Sequence, residues 1–335
     1  ADWIYADPNR REDLEKTYNR LFNQIRLPSY DGSFLKFPGM NPTIELRPHQ
    51  KNAVARIAGT GNSTLLHHVV GSGKSYTMAA SAMKLRQYGL AKKPMIVVPN
   101  HLIGQWASEF LMLYPAANIL AVTKRDFEKS KRKAFCGRIA TSDVDAVIIA
   151  HSQFEMIPLS KERQVKFFQE QLSQIQHEIQ TSAAEEDRTF TVKQLVSMEK
   201  KLSRRLKDAL GASRRDDVLD FEDLGIDFLC VDEAHAYKNL ALSTKMRNVA
   251  GVSSGGANKA FDMYAKCRYM DELTGGKGIT FATGTPVSNS IAELYTMQRY
   301  LQYDLLQSLD MVTFDRWAST FAESTTSYEL SPEGN

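Results

Sequence analysis

Six short apolar runs punctuate the chain: "STLLHHVV" from Ser63, "PMIVVP" from Pro94, "NILAV" from Asn118, "DAVIIA" from Asp145, "IDFLCV" from Ile226 and "GITFAT" from Gly278. Runs of this length, bounded by turn residues, read as short strands. Between them the apolar spacing changes to three and four. "IELRPHQKNAVARIA" predicts a helix entered after Pro48, "YTMAASAMKLRQYG" one with Gly89 as its C-cap, and "IGQWASEFLMLY" one closed by Pro115. Strands alternating with helices predict an α/β domain, a parallel sheet with helices on both faces.

Two stretches break the alternation. Near the start, Leu14, Tyr18, Leu21, Phe22 and Ile25 recur at helical spacing until Pro28, and a turn-rich connector, "SYDGSFLKFPGMNP", follows. Residues 158–222 hold no strand pattern. Val165, Phe168, Leu172, Ile175 and Ile179 step by three and four, and Leu195, Met198, Leu202 and Leu206 do much the same. This predicts two antiparallel helices inserted between strands, packed on each other or on the core, with a partner or nucleic-acid contact as the alternative. The expected plan is a helical leader and connector over 1–45, a sheet domain over 46–302 with its insertion at 158–222, and an extension over 303–335. Its final stretch, "FDRWASTFAESTTSYELSPEGN", ends in polar residues and suggests no core of its own.

Composition changes this picture little. Of 335 residues, 43% are hydrophobic and 24% charged, enough for a core of ordinary size. No apolar run approaches the ~20 residues of a membrane span, and the polar start "ADWIYADPNRREDLEK" does not read as a signal peptide. The lack of an initial Met suggests processing or excision from a longer chain. Cys136, Cys230 and Cys267 stand far apart and form neither a disulfide framework nor a zinc pattern, so a reducing cytoplasm is expected. The net charge of +3 says little, but "KRDFEKSKRKAFCGR" (Lys124 to Arg138) gathers seven basic residues against two acidic ones. A solvated helix face accounts for such a cluster as well as a polyanion contact does.

The candidate chemistry begins at "GSGKS". Gly71 and Gly73, on either side of Ser72, let a backbone approach oxygen atoms and turn its N–H groups inward, and a helix starting near Lys74 adds its dipole. Lys74 suits β- and γ-phosphates, and the Ser75 hydroxyl suits Mg²⁺. The strict phosphate-loop pattern has Gly where this chain has His68, so alone the segment could also be an ordinary strand–turn–helix. "FLCVDEAHAYKN" supplies a partner. Asp232 ends an apolar strand, where a carboxylate can hold Mg²⁺ bound to nucleotide phosphates, and Glu233 can deprotonate an attacking water. A helix N-terminus would explain the acidic pair alone, but not both signals in one chain.

The order "GSGKS", "VDEAH", "TGTP" is that of superfamily 2 helicases. "LRPHQKNAV", "IVVPNHLIGQWASEF", "DEAHAYKN" and "TGTPVSNSIAELYTMQRYL" resemble the corresponding segments of Swi/Snf-type ATPases, over about residues 45–302. "YDGSFLKFPGMN", "DEAHAYKNL" and "FATGTPVSN" further resemble the helicase part of large phage and mobile-element proteins that join such a motor to a DNA methyltransferase. The resemblance implies a RecA-like first lobe that uses ATP and Mg²⁺ on duplex DNA, with no membrane role. In it Gln50 would meet the adenine. Gly71, Ser72, Gly73, Lys74 and Ser75 would hold the phosphates, and Ser75 and Asp232 the Mg²⁺. Lys74, Asp232 and Glu233 would carry the catalysis. His235 would link the acidic motif to Thr283, Gly284, Thr285 and Pro286. Asn100, His101, Gln105, His151 and Ser152 would face the DNA backbone. His67 and His68 depart from the family and read as an accommodated strand-end pair rather than a metal site. A second lobe with arginine fingers is not legible after Leu301, so the chain is expected to be one lobe of a motor and nearly inactive alone. The alternative is a DNA- or protein-binding module that keeps the fold and hydrolyses nothing.

Overall fold

Each of the six apolar runs is a strand in the computed structural model, which describes residues 7–19, 28–128, 130–183, 189–211, 219–242, 244, 256–288 and 290–323. The strands are β1 (Thr64–His67), β2 (Pro94–Val98), β3 (Ile119–Ala121), β4 (Ala146–Ala150), β5 (Phe228–Val231) and β6 (Ile279–Thr283). They form one sheet in the order β1-β6-β5-β2-β4-β3, with every pairing parallel. A parallel sheet must be covered on both faces, and the side-chain alternation shows how. Met95, Val97, Val147, Ile149, Leu229 and Val231 enter one core cluster, while Ile96, Val98, Ala146, Ile148, Phe228 and Cys230 enter the other.

Helices α2 (Pro48–Gly59), α3 (Lys74–Gln87) and α4 (Ile103–Leu113) contribute to the second cluster through Val54, Ile57, Met78, Trp106 and Phe110. The first cluster is built from α5 (Arg132–Thr141), the inserted helices and α9 (Asn258–Thr274). The short α6 (His151–Phe154) caps the end of β4. Helix α3 ends as expected, with Gly89 at φ 70° just past its C-cap Tyr88, and the Leu90 N–H bonded back to the Leu85 carbonyl.

The insertion is a pair of helices, α7 (Lys161–Ala183) and α8 (Thr189–Gly211). Phe168, Leu172, Ile175, Leu195 and Leu202 are buried, as their spacing predicts, and Phe167 joins them. Their apolar stripe is continuous with the main core. Phe168 stacks on Phe261 of α9 with ring centroids 5.6 Å apart, and Phe167 meets Phe261 and Tyr264 edge-on.

One expectation changes. Residues 303–323 have a core: α10 (Ala292–Leu301), α11 (Tyr303–Ser308) and α12 (Phe314–Phe321) close a third cluster around Tyr295, Leu306, Phe314 and Trp317. The aromatic residues Phe314 and Trp317, one helical turn apart, provide the burial that the polar ending obscured. Residues 324–335 lie outside the described part. Residues Ala1–Asp31 form one compact unit and Gly32–Asn335 the other. Within the first, α1 (Pro8–Tyr18) is a helix with no buried residue, while Leu21, Phe22 and Ile25 lie outside the described residues. The connector belongs to the second unit, where Leu35 and Leu46 are buried.

Candidate nucleotide site and the edge beside it

All strands being parallel, the segments after β1, β6, β5, β2 and β4 gather at one carboxyl edge of the sheet, where ligands of open α/β sheets bind. In the order of the sheet these are the "GSGKS" loop, "TGTP", "DEAH", "PNH" and "HSQF".

The loop after β1 turns on two glycines in the left-handed region, Gly71 (φ 81°) and Gly73 (φ 83°), the latter capping α3. Lys74, in the first turn of α3, is buried. Its Nζ donates to the His68 carbonyl at 3.1 Å and the Val69 carbonyl at 3.4 Å, so its side chain lies back along the loop. Ser75 follows in the same turn, half-buried. Gln50, in the first turn of α2, is bonded at both ends of its amide. Nε2 donates to the Gly73 carbonyl at 3.0 Å, and Oε1 accepts from the Arg47 N–H at 2.8 Å. His67 ends β1 and His68 opens the loop. Burial, and then the neighbouring His49, Lys74 and His67, holds the His68 imidazole below its usual range, and its Nδ1 is buried without a hydrogen bond.

Asp232 is buried at the tip of β5. Its Oδ2 accepts from the Trp106 indole N–H at 3.0 Å and its Oδ1 from the Glu233 N–H at 2.9 Å. Burial pushes its pKa up, the charge of Glu233 adds to this, and the Trp106 bond opposes it. A buried carboxylate whose pKa is raised this way favours a nearby cation. Ser75 and Asp232 together offer only hard oxygen donors, which fits Mg²⁺. No group of three or more His, Cys, Asp or Glu side chains able to hold a metal occurs among the described residues.

Glu233 adopts φ 49°, a left-handed conformation that a glutamate takes only where its surroundings enforce it. Its carboxylate lies 3.1 Å from His235 Nδ1, and the same nitrogen lies 3.1 Å from Thr283 Oγ1. A carboxylate only accepts, so Nδ1 carries the proton. Thr283 Oγ1 also accepts from the Thr285 N–H at 3.1 Å. The fold thus brings His235 and Thr283 together. Gly284 lies against the phosphate loop, where an added Cβ would stand 3.6 Å from the His68 carbonyl and 3.7 Å from Val70. Pro286 is buried just beyond.

The residues expected to face DNA divide. Asn100 and Ser152 meet: Asn100 Oδ1 accepts from the Ser152 N–H and hydroxyl at 3.2 and 3.1 Å. His101 is exposed beside Asn100. Gln105 is exposed on α4 and bonded to Glu109. His151 turns inward instead. Its Nε2 lies 2.9 Å from the Asp232 carbonyl oxygen and its ring packs on Tyr237, and burial drives its pKa down to about 4. It braces the acidic motif rather than presenting a cation.

Three contributors escape a reading of motifs: Trp106, His151 as a brace, and the buried pair of Lys238 with Glu293. Lys238 Nζ lies 2.9 Å from Glu293 Oε2, which also accepts from the Ser288 N–H at 2.6 Å, tying the segment after "DEAH" to that after "TGTP". The lysine trailing the acidic motif was the only local signal of this tie.

Residues 57–335 match a family described as a probable helicase domain. The chain is 25% identical over 333 residues to "Defense against restriction protein B" of Escherichia phage P1, covering 88% of this chain and 15% of that protein. It therefore spans only a small part of that relative's length. Among solved structures, the Sulfolobus solfataricus SWI2/SNF2 ATPase core in complex with dsDNA aligns over 87% of this chain and 41% of that one, at 14% identity and a TM-score of 0.46.

Proposed function

The chain belongs to the family of probable helicase domains, and from that premise we propose that it is the first motor lobe of a DNA-dependent ATPase that moves on duplex DNA. The observation that carries the reading is the adjacency of β1, β6 and β5, which sets the phosphate loop, Thr283–Pro286 and the Asp232–Glu233 pair side by side.

A triphosphate against the loop would meet the backbone N–H groups of Gly71, Ser72 and Gly73 and the N-terminal dipole of α3. Lys74 would exchange the His68 and Val69 carbonyls for phosphate oxygens, charged acceptors that bind an ammonium more strongly. Ser75 and Asp232 would hold Mg²⁺, whose charge offsets that of the phosphates. Glu233 would take the proton of the attacking water, with His235 orienting its carboxylate. Because His235 also touches Thr283, a change at Glu233 reaches the loop after β6, a route from nucleotide to DNA.

Asn100, His101 and Ser152 stand at the same edge and suit phosphate contacts, which position a duplex without reading its sequence. The basic segment follows β3, and Gln153 Nε2 donates to the Thr123 carbonyl at 2.9 Å, so this segment extends that edge. By analogy with the phage relative, the chain would work as a segment of a larger mobile-element protein. A second RecA-like lobe is the partner this mechanism needs, and a methyltransferase domain is the further one the resemblance suggests.

The test is ATPase activity of a two-lobe protein with and without duplex DNA. Glu233→Gln is expected to bind ATP and to hydrolyse it ~10²–10⁴-fold more slowly, and Lys74→Ala to lose nucleotide binding. Glu233→Gln turning over near the wild-type rate would remove it from the mechanism. A wild type without nucleotide turnover would favour the non-hydrolysing module.

A further inference from the structure

The two inserted helices carry their positive charge differently. On α7 the basic residues are answered by acids. Arg163 reaches Glu222 at 3.4 Å and Glu272 at 2.8 Å, and Lys166 reaches Glu272 at 3.5 Å and Glu170 at 3.9 Å. On α8, Lys193, Lys200, Arg204 and Lys207 are exposed, and none has an ion pair or hydrogen bond among the described residues. Stepping by seven, four and three residues, they share an arc of about 80° on a helix of 3.6 residues per turn. That arc lies opposite the buried Leu195 and Leu202. The acidic residues of α8 do not neutralise the row. Glu199 accepts from Gln176 of α7 at 2.9 Å, and Asp208 stands at the C-terminal end of the row, paired with none of the four.

The row also stands on the side of the sheet where the candidate site lies. Helix α9 leads into β6 from its C-terminal end, so its first turn is at the carboxyl edge. The Ala257 N–H, just before that turn, bonds the Asn239 carbonyl of the segment after "DEAH". Arg205 of α8 bonds Asn258 in the same turn, and its guanidinium lies 4.5 Å from the centroid of the Phe261 ring. Helix α7 rises along α9, from Arg163 beside Glu272 to Phe168 on Phe261, and α8 returns antiparallel to it. The part of α8 before Arg205, with three of the four cations, therefore runs outward from that edge. Lys193 to Lys207 span about 21 Å at 1.5 Å per residue. A duplex carries one negative charge per ~1.7 Å of its axis, so along that length it offers more phosphates than the row has cations. An acidic protein segment would need carboxylates spaced to match, whereas a duplex meets the row in any register. We propose that the row is a contact for the phosphate backbone of duplex DNA, separate from Asn100, His101 and Ser152. Such a contact holds the duplex without reading its bases. The choice of duplex DNA as the polyanion rests on the motor-lobe reading above.

The experiment is fluorescence anisotropy of two labelled duplexes of unrelated sequence with the 335-residue chain, titrated over salt. Lys200→Gln combined with Arg204→Gln should lower the salt slope by about two units, at ~0.9 per phosphate contact, and weaken both duplexes alike, roughly tenfold or more at about 0.1 M salt. The deficit should close as salt rises, which a folding defect would not do. Lys200→Arg combined with Arg204→Lys keeps both charges and should bind as wild type does. Thermal unfolding of both double variants should match wild type, because the exchanged side chains are exposed and unpaired. Wild-type affinity and slope in the first double variant overturn the contact and leave the site at the sheet edge in place. Loss of poly-L-glutamate binding without loss of duplex binding would assign the row to an acidic protein and overturn it as well. If the wild-type chain binds no duplex at any salt, the duplex part of the motor-lobe reading falls, and the row with it.

Discussion

Trp106 precedes Asp232 by 126 positions, yet its indole N–H fixes one oxygen of that carboxylate. Lys74, Asp232 and Glu233 stand out as candidates in the sequence because loop, lysine and acids are local patterns. Their braces are not, since Trp106 reads as one more apolar helix residue and His151 as one more polar loop residue until the sheet brings both to Asp232. Asp271 is equally silent in the sequence. It is buried in α9, paired with Arg268 at 2.9 Å, with Asp304 nearby and its Oδ1 unpartnered, and burial raises its pKa to about 7. The folded state therefore holds a proton that the unfolded chain has lost, over roughly pH 4–7. This contribution to stability is complete below the unfolded value and disappears as pH rises through about 7. Asp271→Asn lacks that proton dependence. Its stability relative to wild type should improve from pH 5 to pH 8, read from urea midpoints. A difference that stays constant with pH would place the carboxylate's titration elsewhere.

At the scale of elements, the helices with a clear three-and-four apolar spacing were legible, and α9 was not. Lys266 within it is wholly buried, donating to the Phe154 carbonyl at 2.8 Å and to Asp262 at 2.7 Å, and with Asp271 it interrupts any apolar stripe. The three-and-four spacing of the insertion did announce α7 and α8, but not the surface that receives them. That surface is α9, through Phe261 and Tyr264. Phe168→Ala should then destabilise the sheet domain as a core truncation does, by about 3 kcal/mol, the lower end for phenylalanine because the site lies near the margin. Chemical unfolding of the whole chain reads this directly. A loss below about 0.5 kcal/mol, the range of surface substitutions, would mean that the hairpin packs mainly on itself.

At the scale of the molecule, the sequence contains the pieces of the edge but not their order. β6 comes last in the chain and lies beside β1, and only this crossover brings Gly284 against the phosphate loop. Parallel pairing was predictable from alternation with helices, whereas the neighbour of each strand depends on contacts across the whole chain. The described strands make one sheet, and one sheet offers one side of a nucleotide site. The 335-residue chain alone is thus expected to hydrolyse ATP very slowly, since an arginine supplied from a second lobe contributes ~10³–10⁵ in related phosphoryl transfers. It should bind duplex DNA weakly, with a Kd of roughly micromolar or higher, little sequence preference and a salt slope of only a few units, because the phosphate contacts proposed for Asn100, His101, Ser152 and the basic segment would be few. Steady-state ATPase with and without duplex, and binding titrated over salt, measure both. Strong DNA-stimulated turnover from this chain would point to an arginine supplied by a second copy, and its rate would then rise with the square of protein concentration.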